Sequence, residues 1–145
     1  MTSLTLVRRI RARPSIVFEA MTTAEGITHW FGPDPEPVLL SQSDPRPGGR
    51  YRVRFRTSDG SEHEASGEYL EVVPHERVVM TWRWTGGQED PGQSRVEIAL
   101  RAIPEGTELT FTHALLHDEE SRLSHEGGWT RAFDKLDAYL AARAG

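Results

Sequence analysis

The sequence predicts an α+β domain: a curved antiparallel sheet of about six or seven strands wrapped on one long carboxy-terminal helix, with two short helices after the first strand. Apolar and polar residues alternate strictly in Arg50-Tyr51-Arg52-Val53-Arg54-Phe55-Arg56, and again in Gly106-Thr107-Glu108-Leu109-Thr110-Phe111-Thr112-His113. That is the period of a strand with one face buried. Turn-forming strings, Ser58-Asp59-Gly60-Ser61, Pro74-His75-Glu76 and Ile103-Pro104-Glu105-Gly106, separate consecutive runs, as in a series of antiparallel hairpins. After a short polar loop the period changes to 3.6 residues in a long segment broken by Gly127-Gly128-Trp129. This is the only large helix available to cover the apolar face of the sheet, and one helix laid over a curved sheet leaves a cavity.

Taken in order, Leu4 to Ala12 reads as the first strand. Arg13-Pro14 opens a helix whose buried side carries Ile16, Val17, Phe18, Ala20 and Met21, because proline is tolerated in a first turn. A second helix, Ala24 to Trp30, stops at Phe31-Gly32-Pro33. The proline-rich stretch Asp34 to Gly49 is mostly loop, with Val38-Leu39-Leu40 as a short irregular strand. Strands then run over Arg50 to Arg56, Glu62 to Val73 and Arg77 to Trp84, the last placing Val78, Met80, Trp82 and Trp84 on one face. Gly86 to Gly92 is a polar loop; beyond it Ser94, Val96, Ile98 and Leu100 share a face, as do Leu109, Phe111 and His113 in the final strand. No repeat or linker interrupts the pattern, and residues 1–145 are expected to form one domain.

Composition narrows the chemistry. A chain of 145 residues buries about two-thirds of its unfolded surface and folds without staples. With no cysteine there is no disulfide, thiol nucleophile or thiolate metal site. A net charge of −5 disfavours nucleic acid and anionic membrane as partners. The first residues hold too short an apolar run for a signal peptide, so the expected location is cytoplasmic.

A series of local patterns, in this order, resembles the START-like helix-grip superfamily, and within it the branch named after the activator of Hsp90 ATPase homologue. They are Arg8-x-Ile10-x-Ala12-x-Pro14 with Val17-Phe18-x-Ala20, Trp30-Phe31-Gly32-Pro33, and Asp44-Pro45-Arg46-x-Gly48-Gly49-Arg50-Tyr51. Gly67-x-Tyr69-x-Glu71-Val72-x-Pro74-x-Glu76-Arg77, Thr81-Trp82, Gly106-Thr107-x-Leu109-Thr110, His113 and His125-x-x-Gly128-Trp129 complete the series, which spans nearly the whole chain. The resemblance implies a helix-grip fold with a cavity between sheet and helix. Proteins of this fold include lipid carriers, cyclases and receptors, so it leaves function to be argued from the site.

Alternation gathers an aromatic inward set: Tyr51, Phe55, Tyr69, Met80, Trp82, Trp84, Phe111, Trp129 and Phe133, joined by Trp30. These side chains either line a pocket for a flat or acyl apolar molecule or simply fill the core. His113 and His125 are candidate proton donors or acceptors, with satisfied structural histidines as the alternative. His113, His117, Asp118, Glu119 and His125 match no metal-ligand spacing, and no metal or other cofactor is expected. Gly127-Gly128 marks either a compliant point at the pocket mouth or a close approach of helix to sheet. Arg50, Arg52, Arg54 and Arg56 read as a solvated face paired with Glu62, Glu64, Glu68, Glu71, Glu97 and Glu108 on neighbouring strands.

The leading reading is a stand-alone binding protein for a small apolar or aromatic molecule, with Tyr51, Tyr69, His113 and Arg8 as polar orienters. The second is a polyketide-cyclase-like enzyme in which His113 or His125 moves a proton. The third is a stress-response protein that contacts a chaperone or client through its outer surface. It ranks third because the family's co-chaperone places a separate amino-terminal domain ahead of this one for much of that contact. A homodimer is compatible with all three.

Overall fold

The alternating runs pair into a sheet because a period of two puts every second side chain on one face, where the apolar set is removed from water together. A computed structural model describes residues 2–32, 38–85, 93–116 and 119–144. The order is β1 (Thr2–Ile10), α1 (Pro14–Thr22), α2 (Ala24–Ile27), β2 (Val38–Ser43), β3 (Arg50–Arg56), β4 (Glu62–Val73), β5 (Arg77–Thr85), β6 (Ser94–Ile103), β7 (Gly106–Leu116) and α3 (Glu119–Ala144). Among the described residues these strands form one seven-stranded antiparallel sheet in the order β1-β7-β6-β5-β4-β3-β2. The first strand thus lies beside the last, while α1 and α2 carry the chain across to β2 at the opposite edge.

Irregularities between Thr2 and Leu4, Val38 and Leu40, and Tyr69 and Glu71 interrupt the ladders. Such bulges bend a strand and increase its twist, which suits a sheet that must curve around a helix. Gly67 lies just before the third of them. A Cβ there would stand 2.0 Å from the Thr81 carbonyl oxygen, so only glycine admits the approach of β5.

Helix α3 buries Trp129, Ala132, Phe133, Leu136 and Leu140, a stripe with the i, i+3, i+4, i+7 spacing of an amphipathic helix. Its first turns bury less, and Leu123 is 55% exposed. Arg8 of β1 holds the helix from the side through Asp134 Oδ1 at 2.8 Å and the Thr130 carbonyl at 3.1 Å. On the opposite face of the sheet part of the expected charge pairing is present, Arg52 and Arg54 to Glu64 and Arg56 to Glu62, while Glu71 and Glu108 pair instead with Arg77 and Arg101. These exposed pairs contribute little each, about 0 to 1 kcal/mol, but they keep that face charged and wet.

Several boundaries differ from the sequence reading. The first strand ends at Ile10, because the Ala12 carbonyl accepts a hydrogen bond from Thr107 Oγ1 at 2.6 Å instead of continuing a ladder. Helix α2 closes at Ile27, with the chain turning irregularly through Trp30, and β2 extends to Ser43. The long helix is not broken at Gly127-Gly128; α3 runs through both. Pro33 to Pro37 of the expected loop, and the loop from Gly86 to Gly92, lie outside the described residues.

Candidate functional site

The concave face of the sheet and the helices packed on it line a cavity of about 30 Å³. Its floor is alternate residues of the strands: Tyr51 and Val53 from β3, Tyr69 from β4, Met80 and Trp82 from β5. Val96 and Ile98 from β6 and Phe111 from β7 continue it. Trp129 of α3 closes one side, Met21 of α1 another, and Ile27, Trp30 and Phe31 a third. A water molecule needs about 10–15 Å³ on this measure, so the space is real but far smaller than the roughly 300–1,000 Å³ of a pocket around a drug-sized ligand.

The rings around it touch one another. Trp82 lies 5.0 Å from Trp129 and 5.7 Å from Phe31, ring centre to ring centre, and Phe111 lies 4.5 Å from Trp129. These are the tilted and offset arrangements favoured by aromatic quadrupoles.

The polar groups expected to orient a ligand have partners in the scaffold. The Tyr51 hydroxyl donates to the Thr81 carbonyl, and burial, with Tyr69 nearby, raises its pKa well above the usual phenol. Tyr69 shares a 2.7 Å hydrogen bond with Ser43, and its pKa is pushed up to about 12 by burial. Trp30 Nε1 donates to the Ala20 carbonyl at 2.9 Å. Arg8 does not line the cavity; its guanidinium binds Asp134 and Thr130 on the flank of α3. One group is different. Trp82 is 2% exposed, and its Nε1–H has no hydrogen-bond partner among the described residues.

His113 is buried beside the cavity, not in its wall. Trp129 Nε1, which can only donate, is 3.1 Å from Nδ1, so Nδ1 is the unprotonated acceptor. Nε2 therefore carries the proton and donates to Ser94 Oγ at 2.7 Å, and Ser94 donates onward to the Trp82 carbonyl at 3.3 Å. Burial, reinforced by His125, pushes the His113 pKa down to about 3. The ring stays neutral at ordinary pH. His125 stands 4.8 Å from it, ring to ring, and its Nε2 accepts from Trp84 Nε1 at 2.8 Å. Among the described residues no group of three or more histidine, aspartate and glutamate side chains is placed to hold a metal; His117 and Asp118 lie outside them.

Of the side chains expected at a ligand, the structure brings Trp30, Tyr51, Tyr69, Met80, Trp82, Phe111 and Trp129 together around one space. Phe55, Trp84 and Phe133 sit behind that wall. Phe55 packs on Phe31 and Trp84, Trp84 is partly buried against His125, and Phe133 supports Trp30, Phe111 and Trp129. Phe31 and Ile27 were not singled out by the sequence. The one local signal for Phe31 is the glycine that follows it, which adopts φ +92° and lets the ring turn inward.

An antiparallel sheet gripping a carboxy-terminal helix over an aromatic cavity defines the class: a helix-grip protein of the START-like kind. The chain belongs to the family described as activator of Hsp90 ATPase homolog 1-like protein, whose model matches residues 11–141. An AHSA1 protein from Silicibacter pomeroyi is 27% identical, with a TM-score of 0.87 over 98% of this chain and 99% of its own. A protein from Chromobacterium violaceum is 25% identical, with a TM-score of 0.84 over 96% and 97%. An AHSA1-like protein from Aeromonas hydrophila, 19% identical, shares the fold with a TM-score of 0.82 over 99% and 94%. No curated protein sequence matches the chain. Among the described residues no helix is long and apolar enough to cross a membrane.

Proposed function

We propose that the protein binds a small, largely apolar aromatic molecule between its sheet and its carboxy-terminal helix. The observation that carries this reading is the cavity itself, central in the fold and walled by apolar and aromatic side chains from four different parts of the chain. Family membership supports it at the level of class.

The ligand enlarges the space by displacing one wall. The strand residues are held by pairing on both sides within the sheet and Trp129 by the helix. The wall formed by Ile27, Trp30 and Phe31 sits on one turn whose backbone bonds are at or beyond the long end of the usual range, from Trp30 N to Ile27 O at 3.4 Å and from Phe31 N to Ile27 O at 3.2 Å, with the Trp30 indole tied to the Ala20 carbonyl. Lys135 of α3 donates to the Phe31 carbonyl at 3.2 Å and holds that turn shut. This wall is the gate. Exchange through such a local opening belongs to the low-stability end of a fold.

A cyclase-like reaction at His113 has less support, because both ring nitrogens are committed and the ring resists protonation. Native mass spectrometry of freshly purified protein, followed by organic extraction, tests the binding reading. A small-molecule adduct lost on extraction is the expected result. A bare mass, together with tryptophan emission unmoved by neutral naphthalene-based probes, would sink it.

A further inference from the structure

The unpartnered indole nitrogen of Trp82 narrows the ligand to a chemical class. A buried N–H left without an acceptor costs about 1–3 kcal/mol, and native folds rarely keep one without a use for it. None of the polar groups on the neighbouring rings takes this proton: the Tyr51 hydroxyl is turned to the Thr81 carbonyl as a donor, His113 Nδ1 accepts from Trp129, and His113 Nε2 is itself a donor. The rest of the wall nearby is the apolar surface of Phe31, Trp129 and Met80. We infer that Trp82 Nε1–H is the recognition donor of the site, and that the ligand is an uncharged planar aromatic bearing a carbonyl-type acceptor, such as an aryl ketone or quinone. This rests on the binding reading above and adds the acceptor to it.

The acceptor is uncharged because, among the described residues, no lysine, arginine or histidine lines the cavity. An anion there would lose its hydration without gaining a counter-charge, a cost far above what one N–H donor returns. A neutral carbonyl oxygen needs only one good donor. The flat ring system follows from the walls, since tilted indole and phenyl faces offer stacking area to a planar guest.

The test compares three probes of like shape: 2-acetylnaphthalene, its isostere 2-isopropenylnaphthalene with C=CH2 for C=O, and 2-naphthoate. The ketone is expected to bind about tenfold more tightly than the alkene, the size of one net hydrogen bond in a buried site. In a ¹H–¹⁵N spectrum the chain's four tryptophans give four indole signals, and the one missing from Trp82→Phe is expected to move downfield with the ketone alone. The Trp82→Phe variant, its fold checked by the three remaining indole signals, should bind ketone and alkene alike. Equal binding of the two by the wild-type protein with an unmoved Trp82 signal overturns the inference and leaves the binding reading standing. So does naphthoate binding tighter than the ketone, or discrimination that survives in Trp82→Phe. If none of the three binds, the binding reading fails and this inference with it.

Discussion

Trp129 donates its indole N–H to Nδ1 of His113 across 3.1 Å, and this one contact fixes the tautomer, the role of Ser94 and the attachment of α3 to β7. A histidine in a carboxy-terminal strand before a helix invites a catalytic reading. Here it is a buried joint. Its far nitrogen donates a hydrogen bond to Ser94, which in turn donates to the Trp82 carbonyl, so helix and central strands share one polar chain.

That joint makes stability depend on acid. The His113 pKa is pushed down to about 3 from an ordinary 6.5 by burial, so between those values the unfolded chain binds a proton that the folded one refuses. Stability therefore falls as pH drops below 6.5, by up to about 1.4 kcal/mol per pH unit from this residue, and is unaffected by it above that window. A His113→Gln variant cannot titrate. Urea unfolding from about pH 7 to about pH 4.5 should show a shallower acid loss for the variant; parallel curves would exclude this account.

Ser94→Ala isolates the same chain with little change in volume. Removing the hydroxyl strands the His113 Nε2–H in a dry environment, and the expected loss is about 1–3 kcal/mol at neutral pH. Chemical denaturation measures it, and a loss below a few tenths would mean that the contact is not formed in solution.

Two glycines should respond with opposite signs. A Cβ on Gly127 meets nothing within 4 Å, so Gly127→Ala relieves a helix-interior glycine at no steric cost. The gain expected is about 1 kcal/mol, or roughly 2–4 °C in Tm. This removes close packing as the reason for Gly127, and with the gate at the Ile27 to Phe31 wall, ligand exchange should not change. Gly67→Ala drives its methyl into the Thr81 carbonyl and should destabilise by several kcal/mol, as backbone cannot yield like a side-chain tip. Thermal melts of the pair decide both.

The gate is tested at Lys135. Lys135→Met keeps the aliphatic stem and removes the ammonium that holds the Phe31 carbonyl. Dissociation of 2-acetylnaphthalene, followed by stopped-flow tryptophan fluorescence, should accelerate about three- to tenfold, in line with a part-exposed hydrogen bond from a charged donor. An unchanged rate would move the gate elsewhere.

Much of the fold was legible in local periodicity. Glu62 to Val73 was read with its final bounds, and the inward set Ser94, Val96, Ile98, Leu100 lies buried as alternation requires. Side-chain direction along a strand is a local property, so it survives without knowledge of the partners. Helix ends were less legible. Whether α2 stops at Ile27 or Trp30 depends on the Trp30 indole reaching the Ala20 carbonyl, and whether α3 bends at its glycines depends on the sheet beneath it.

The sequence by itself determined the sheet's inward and outward faces, the aromatic character of the core and the family, because these follow from residue type and spacing. Tertiary structure decided which inward residues meet. It separated Phe55, Trp84 and Phe133 from the cavity, turned Phe31 into its wall, committed His113, and left the Trp82 donor without an acceptor among the described residues. The physical reason is that hydrogen-bond satisfaction and empty volume belong to several chain segments at once. No single stretch of sequence contains the acceptor that a buried indole lacks.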